Sequence, residues 1–273
     1  MKERVISGVC IAVILAVSCF LGGWVLWGVL LAVSVIGFFE LARAMGIHKE
    51  GMTLSLQELA ALILILELYL TLKFTTSMAN YIVSILLLLI SIFFLYVIFF
   101  PRIHIREIAD ILFCFIYAPC MLSFIYLLRE LPYGNYLVWV PFAAWVCDTC
   151  AYFTGMAIGK HKLAPLLSPK KTIEGAIGGI IGATIAGGIY GYFLGRAMDN
   201  YHMIWILLVI TALGSIITQL GDLAASGIKR DHGIKDFGKL IPGHGGIMDR
   251  FDSVVIAAPI VYFLVLVKQA MIE

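Results

Sequence analysis

The sequence predicts an all-α, polytopic integral membrane protein with nine transmembrane helices and a cytoplasmic N-terminus. Three observations carry that prediction. Of the 273 residues, 62% are hydrophobic and 13% charged, a balance that excludes an ordinary soluble domain. Apolar runs of about 17–23 residues follow one another along the chain, the length a helix needs to cross ~30 Å of hydrocarbon. The basic residues divide unevenly between the two sides that those runs create.

In order, the runs fall near 5–21, 24–41, 56–73, 79–100, 108–128, 135–157, 173–195, 203–224 and 253–268. The first opens MKERVISG and imitates a signal peptide. Its small-residue cleavage signature is poor, and a second span follows almost at once, so it reads as an uncleaved helix. Spans one and two are so close that they must form a tight hairpin. The first five spans carry few polar side chains and look like scaffold. Glu67, in LILILELYL, is the exception. A carboxylate at mid-membrane depth is costly, and it either serves function or sits protonated or hydrogen-bonded between helices; the sequence leaves both open.

All six cysteines lie in apolar runs. Cys147 and Cys150 form a CxxC, but their setting is WVCDTCAYF with no second Cys/His pair nearby. They read as small apolar helix residues rather than a zinc or redox pair. Span seven, IEGAIGGIIGATIAGGIYGYF, contains overlapping glycine pairs four apart, which let another helix backbone approach closely.

With the N-terminus inside and sides alternating, fifteen of the nineteen Lys and Arg residues fall in cytoplasmic segments. Only Lys73, Arg129, Arg196 and Lys268 fall outside. The two longest polar loops, 158–172 and 225–252, are both cytoplasmic and both in the C-terminal half. The chain therefore divides into scaffold helices, 1–130, and a region carrying the candidate chemistry, 131–273.

Residues 229–252, KRDHGIKDFGKLIPGHGGIMDRFD, hold nine of the 36 charges. Acidic residues gather at the cytoplasmic ends of the late spans: Asp222, Asp249 and Asp252, with Asp148 inside span six as a further candidate. On a helix Asp249 and Asp252 share a face at a spacing of three, as do Asp222 and Ser226 at four. Carboxylates converging at one depth suit Mg²⁺, which takes one or two of them and leaves its other positions to water and phosphate. Plain ion pairs with Arg250, Arg230 or Lys229 satisfy the same charge pattern, which does not decide between the two.

Lys229, Arg230, Lys235 and Lys239 flank these carboxylates, and Lys170 and Lys171 lie in LSPKKTIEG before span seven. Such clusters attract anionic headgroups, although basic residues in a cytoplasmic loop also serve orientation alone. The interleaving of lysines with aspartates weakens that purely topological reading. The start of span seven offers backbone N–H groups to an anion, or is simply a helix opened by Ser168 and Pro169. In GHGG, residues 243–246, glycines bring N–H groups close to a ligand; His244 then contacts phosphate, moves a proton or caps a helix.

Taken together, Ser226, Lys229 and Arg230, then Lys235, Asp236 and Gly238, then Ile241, Pro242, His244, Gly245, Gly246, Asp249, Arg250 and Asp252 resemble the signature of the phosphatidate cytidylyltransferases, or CDP-diacylglycerol synthases. The QLGD before the signature and the SPKKTIEG loop extend the resemblance over residues 145 to 252. It implies transfer of a cytidylyl group from CTP to phosphatidic acid, giving CDP-diacylglycerol and pyrophosphate, in a multi-pass protein of the bacterial cytoplasmic membrane. It assigns Asp222 and Asp249 to Mg²⁺, with a second cation, K⁺ or Mg²⁺, beside it. Lys229, Arg230 and Asp252 join them as catalytic residues, while Ser168, Lys170, Lys171, Ser226, Lys235, Asp236, His244 and Arg250 bind substrate. A homodimer working on membrane lipid, with no nucleic acid partner, is implied as well.

Two rival readings are weaker. A secondary transporter would suit Asp148, Glu67 and the glycine-rich span, but no internal repeat is found and polarity concentrates at one face. An enzyme using CTP on another lipid is the nearer rival.

Overall fold

The computed structural model describes residues 2–47, 55–75, 77–101, 103–241 and 245–270. Helices stand at all nine expected positions. They are α1 (Lys2–Leu21), α2 (Gly23–Ala44), α3 (Leu56–Phe74) and α4 (Met78–Phe99), then α5 (Ile105–Phe115) and α6 (Met121–Glu130) joined by a π-turn, Ile116–Cys120. The short α7 (Gly134–Leu137) leads into α8 (Ala143–Ile158), followed by α9 (Ile173–Ala197), α10 (His202–Asp231) and α11 (Met248–Ala270). Among the described residues seven stretches are long and apolar enough to cross a membrane. The chain is an all-α polytopic membrane protein. Outside those seven stretches lie α1, whose apolar part is Gly8–Leu21, and α3, which carries Glu58, Glu67 and Lys73.

The chain forms two compact units: residues 1–130 with 234–250, and residues 131–233 with 251–273. In the first unit, α1 turns into α2 at Gly22, whose φ is +63°. That backbone favours glycine, and a Cβ there would also lie 2.8 Å from Nη2 of Arg129. Arg129 in turn donates from Nε to the Cys19 carbonyl at 3.1 Å, closing the end of α1. Helix α3 starts with a capping box, since Ser55 Oγ accepts the Glu58 N–H and Glu58 accepts the Ser55 N–H at 2.7 Å. The π-turn contains Pro119, which lacks the N–H that an α-helical ladder needs there.

In the second unit, α9 lies against both α8 and α10 through its small residues. A Cβ on Gly179 would sit 2.8 Å from the Cys147 carbonyl oxygen on α8, and one on Gly191 would sit 2.8 Å from Cα of Ile204 on α10. The glycine spacing read from the sequence is thus used for backbone contact on two faces. All six cysteines are free thiols, and Cys147 is a buried helix residue of α8.

Between α8 and α9 the structure departs from a simple loop. Strands β1 (Lys162–Ala164) and β2 (Ser168–Thr172) form an antiparallel hairpin pairing Lys162 with Thr172 and Ala164 with Ser168. Ser168 and Pro169 therefore do not open α9. Thr172 is its N-cap, accepting the Gly175 N–H at 3.1 Å. The change has a local cause: Pro169 sits well in extended backbone, and threonine is a better cap than any residue before it except Ser168.

Candidate active site

The second unit holds a cavity of ≈ 330 Å³ whose wall combines charge with apolar surface. Helix α8 contributes Asp148, Tyr152 and Met156, β1 contributes Leu163, β2 contributes Lys170 and Lys171, and α10 contributes Gln219 and Asp222. The hairpin matters here because it brings Lys170 and Lys171 to the cavity wall and carries Lys171 to α10. There the Lys171 ammonium pairs with the Asp222 carboxylate. Asp148 accepts a hydrogen bond from Ser253 Oγ at 3.0 Å. Gln219 donates to the Ala176 carbonyl at 3.0 Å, so its position depends on the thin glycine-rich helix behind it.

Close by in sequence, Lys229 Nζ lies 3.7 Å from Asp252 Oδ2, with both side chains mostly buried. Asp252 also accepts the Ser253 N–H at 3.0 Å through its other oxygen. Ser226 is half-buried on α10, whereas Arg230 is exposed and donates to the Leu167 carbonyl at 3.4 Å. Ser168 sits half-buried at the start of β2.

In the first unit, residues 234–241 and 245–250 fold around two buried carboxylates. Asp249 is 6% exposed, and its Oδ2 accepts the N–H groups of Phe237 at 2.8 Å and Gly246 at 2.9 Å. Glu40 on α2 is 4% exposed and accepts the N–H groups of Ile247 at 2.9 Å and Met248 at 2.8 Å, one on each oxygen. These are the first unsatisfied donors of α11, so Glu40 caps that helix from a distant part of the chain. Gly238 and Gly246 make the cradle: a Cβ at Gly238 would lie 2.7 Å from Cδ of Glu40, and one at Gly246 2.5 Å from it. Ile241 donates to the Gly245 carbonyl at 2.8 Å. Lys235, Asp236 and Lys239 are exposed on this segment, and Arg250 is half-buried. His244 lies outside the described residues.

The structure thus brings Lys170, Lys171, Asp148 and Asp222 to one cavity and pairs Lys229 with Asp252. Asp222 belongs to the second unit and Asp249 to the first. Glu40 and Gln219 were not anticipated. A carboxylate in the apolar run GFFELARA was the available signal for Glu40, and the QLGD stretch for Gln219.

Carboxylate oxygens lining the cavity are of the chemical kind that suits a divalent cation. Among the described residues no group of three or more His, Cys, Asp or Glu side chains is placed to hold a metal. Mg²⁺ does not require one, because it binds through one or two carboxylates and completes its shell with water and phosphate oxygen. Asp148 and Asp222 supply hard oxygen donors on one cavity wall.

The fold and site together define a helical membrane protein with a paired ammonium and carboxylate in one half-apolar cavity. Within that class the family is specific: residues 2–267 match the model of the Cytidylyltransferase family, and the chain belongs to that family. It is 46% identical over 132 residues to the phosphatidate cytidylyltransferase of Staphylococcus haemolyticus (strain JCSC1435), covering 48% of this chain and 49% of that protein. It is 42% identical over 146 residues to the protein of the same name from Staphylococcus saprophyticus, covering 53% and 55%. For that of Staphylococcus aureus (strain COL) the figure is 45% over 132 residues, covering 48% and 49%. The chain spans about half the length of the curated relatives it matches.

Proposed function

We propose that this protein transfers the cytidylyl group of CTP to phosphatidic acid, forming CDP-diacylglycerol and pyrophosphate. The observation that carries the reading is the placement of Lys170, Lys171, Asp148 and Asp222 around one cavity in a chain of the Cytidylyltransferase family. The relatives named phosphatidate cytidylyltransferase supply the lipid substrate class.

Both substrates are polyanions, so the main task is to hold them together and offset their charge. Lys170 and Lys171 draw phosphate into the cavity. Lys171 is already oriented by Asp222, so it loses little further freedom when a phosphate oxygen replaces or joins that carboxylate. Tyr152, Met156 and Leu163 give the cavity an apolar side suited to the glycerol end of a lipid. A phosphatidate oxygen attacks the α-phosphorus of CTP, a new P–O bond forms, and the bond to the β-phosphate breaks with pyrophosphate leaving. No protein base is needed, because a phosphate monoester is already ionised near neutral pH. Lys229, held by Asp252, and Arg230 supply further positive charge for the triphosphate. Ser168, Ser226, Lys235, Asp236, His244 and Arg250 complete the proposed substrate contacts.

By the family resemblance Asp222 and Asp249 are each proposed as ligands to Mg²⁺, which with a second cation, K⁺ or Mg²⁺, would neutralise charge on the phosphate oxygens. The basic-residue asymmetry supports a site facing the cytoplasm of a bacterial inner membrane. A homodimer is part of the same proposal and rests on the family resemblance.

The test is pyrophosphate release by purified protein given phosphatidic acid and each nucleoside triphosphate, with and without Mg²⁺. Release only with CTP, phosphatidic acid and metal together is expected. Release without the lipid, or equally with any nucleotide, overturns the reading.

A further inference from the structure

We propose that the β1–β2 hairpin is an interfacial wedge, its tip seated among the headgroups and upper acyl chains of the protein's own bilayer leaflet. Its occupant is anionic phospholipid. The proposal concerns where the hairpin sits and goes beyond the catalytic reading.

The first reason is topological. Gly134–Ile158 and Ile173–Ala197 are both membrane-length apolar stretches. The segment 159–172 between them leaves and re-enters the bilayer at the same face, so the hairpin lies at that surface whichever face it is. The second reason is the turn itself. Turns normally carry Gly, Pro, Asn, Asp or Ser, yet this one reads Pro165, Leu166, Leu167. Leu166 is 91% exposed, more than any other large apolar side chain among the described residues. Its neighbour is accounted for: the Leu167 carbonyl accepts from Arg230, and its side chain lies beside Gly227 on α10. The turn is thus fixed to the end of α10 with Leu166 projecting away.

The third reason is charge. Lys160, His161, Lys162 and Lys170 are exposed on the hairpin and its stem. The acidic residue beside the stem, Glu174, is occupied by the N–H groups of Lys160 and His161 and by the His161 ring at 2.6 Å. A projecting leucine at the tip, with exposed basic side chains on the strands and stem behind it, is the composition that anchors a segment at an anionic interface. The strands behind the tip present Leu163, Lys170 and Lys171 to the cavity, so one hairpin carries both the tip and part of the cavity wall.

The test places a nitroxide label at Leu166→Cys, on a Cys10→Ser background, with the Cys10→Ser protein alone subtracted. The full chain is reconstituted in phosphatidylcholine vesicles with and without phosphatidylglycerol. Collisions with oxygen exceeding those with an aqueous nickel chelate, more so with phosphatidylglycerol, are expected. A mobile label open to the chelate places the tip in water and overturns the proposal. A label immobile and closed to both reagents means that protein, including a second copy, covers the tip, and overturns it equally. This readout does not depend on turnover, so it stands or falls apart from the proposed reaction. Where that reaction holds, Leu166→Asp raises the apparent KM for vesicle-borne phosphatidic acid several-fold and leaves the KM for CTP unchanged. An equal change in both would mark general damage rather than a lost lipid contact.

Discussion

Glu40 and Met248 stand 208 positions apart, yet the Glu40 carboxylate accepts the Met248 backbone N–H at 2.8 Å. With the neighbouring bond from Ile247, this fastens the start of α11 to α2 and fixes the segment that carries Asp249. Replacing Glu40 by Ala leaves two buried donors without an acceptor, at a cost of about 1–3 kcal/mol each. Glu40→Ala should melt at a lower temperature in detergent and lose turnover. Glu40→Gln keeps one acceptor oxygen and should fall between the two proteins. Melting and activity equal to the parent in both variants would mean the segment holds its shape without Glu40.

Asp249 has two tasks to separate. Its Oδ2 binds two backbone N–H groups, and the proposed function gives it a cation as well. Asn is nearly isosteric and retains a carbonyl oxygen for those donors. Asp249→Asn should therefore insert and fold normally while losing turnover by on the order of 100-fold or more, the scale of loss at disturbed metal sites. Near-normal CDP-diacylglycerol formation by this variant would remove the metal assignment.

Lys170 is exposed and lines the cavity. A basic group near anionic lipid contributes about 1 kcal/mol, so Lys170→Ala should weaken apparent substrate affinity by about fivefold. Melting temperature should not move. Unchanged KM values for both substrates would count against a phosphate role.

Asp222 is paired with Lys171 and is also the proposed Mg²⁺ ligand in the second unit. Asp222→Asn should raise the Mg²⁺ concentration for half-maximal rate by at least ~10-fold. A Mg²⁺ titration superimposable on that of the parent would leave Asp222 as an ion-pair partner only.

Gly191 meets Cα of Ile204, a backbone atom that cannot rotate aside. Gly191→Ala should destabilise the protein by about 1–3 kcal/mol through overpacking, read as earlier thermal aggregation in detergent. Indifference to this methyl group would show that α9 and α10 can part without loss.

The apolar runs located every long helix to within a few residues, because hydrocarbon thickness sets their length. They missed how far two helices continue beyond it. The run ending at 224 belongs to a helix reaching Asp231, and the run starting at 253 belongs to one starting at Met248. Hydropathy reports bilayer thickness, whereas the turns carrying Lys229, Arg230 and Asp249 are helical but polar. The hairpin escaped notice because strands of three and five residues are too short to display alternation. Glu40 escaped because it fell at the edge of its run, where a charge looks like a boundary; Glu67, deeper in its own run, drew attention instead. Cavity membership was illegible for a different reason: Asp148, Lys171 and Asp222 meet only because glycine lets three helices close together.

That closeness limits motion as well as distance. At Gly179 and Gly191 α9 meets its neighbours at backbone atoms, which cannot rotate aside, so α8, α9 and α10 have little room to shift past one another there. Asp148 and Asp222 stand on helices held at those points, whereas Lys170 and Lys171 stand on a short ribbon with longer, freer side chains, the natural place for adjustment to an arriving or departing molecule.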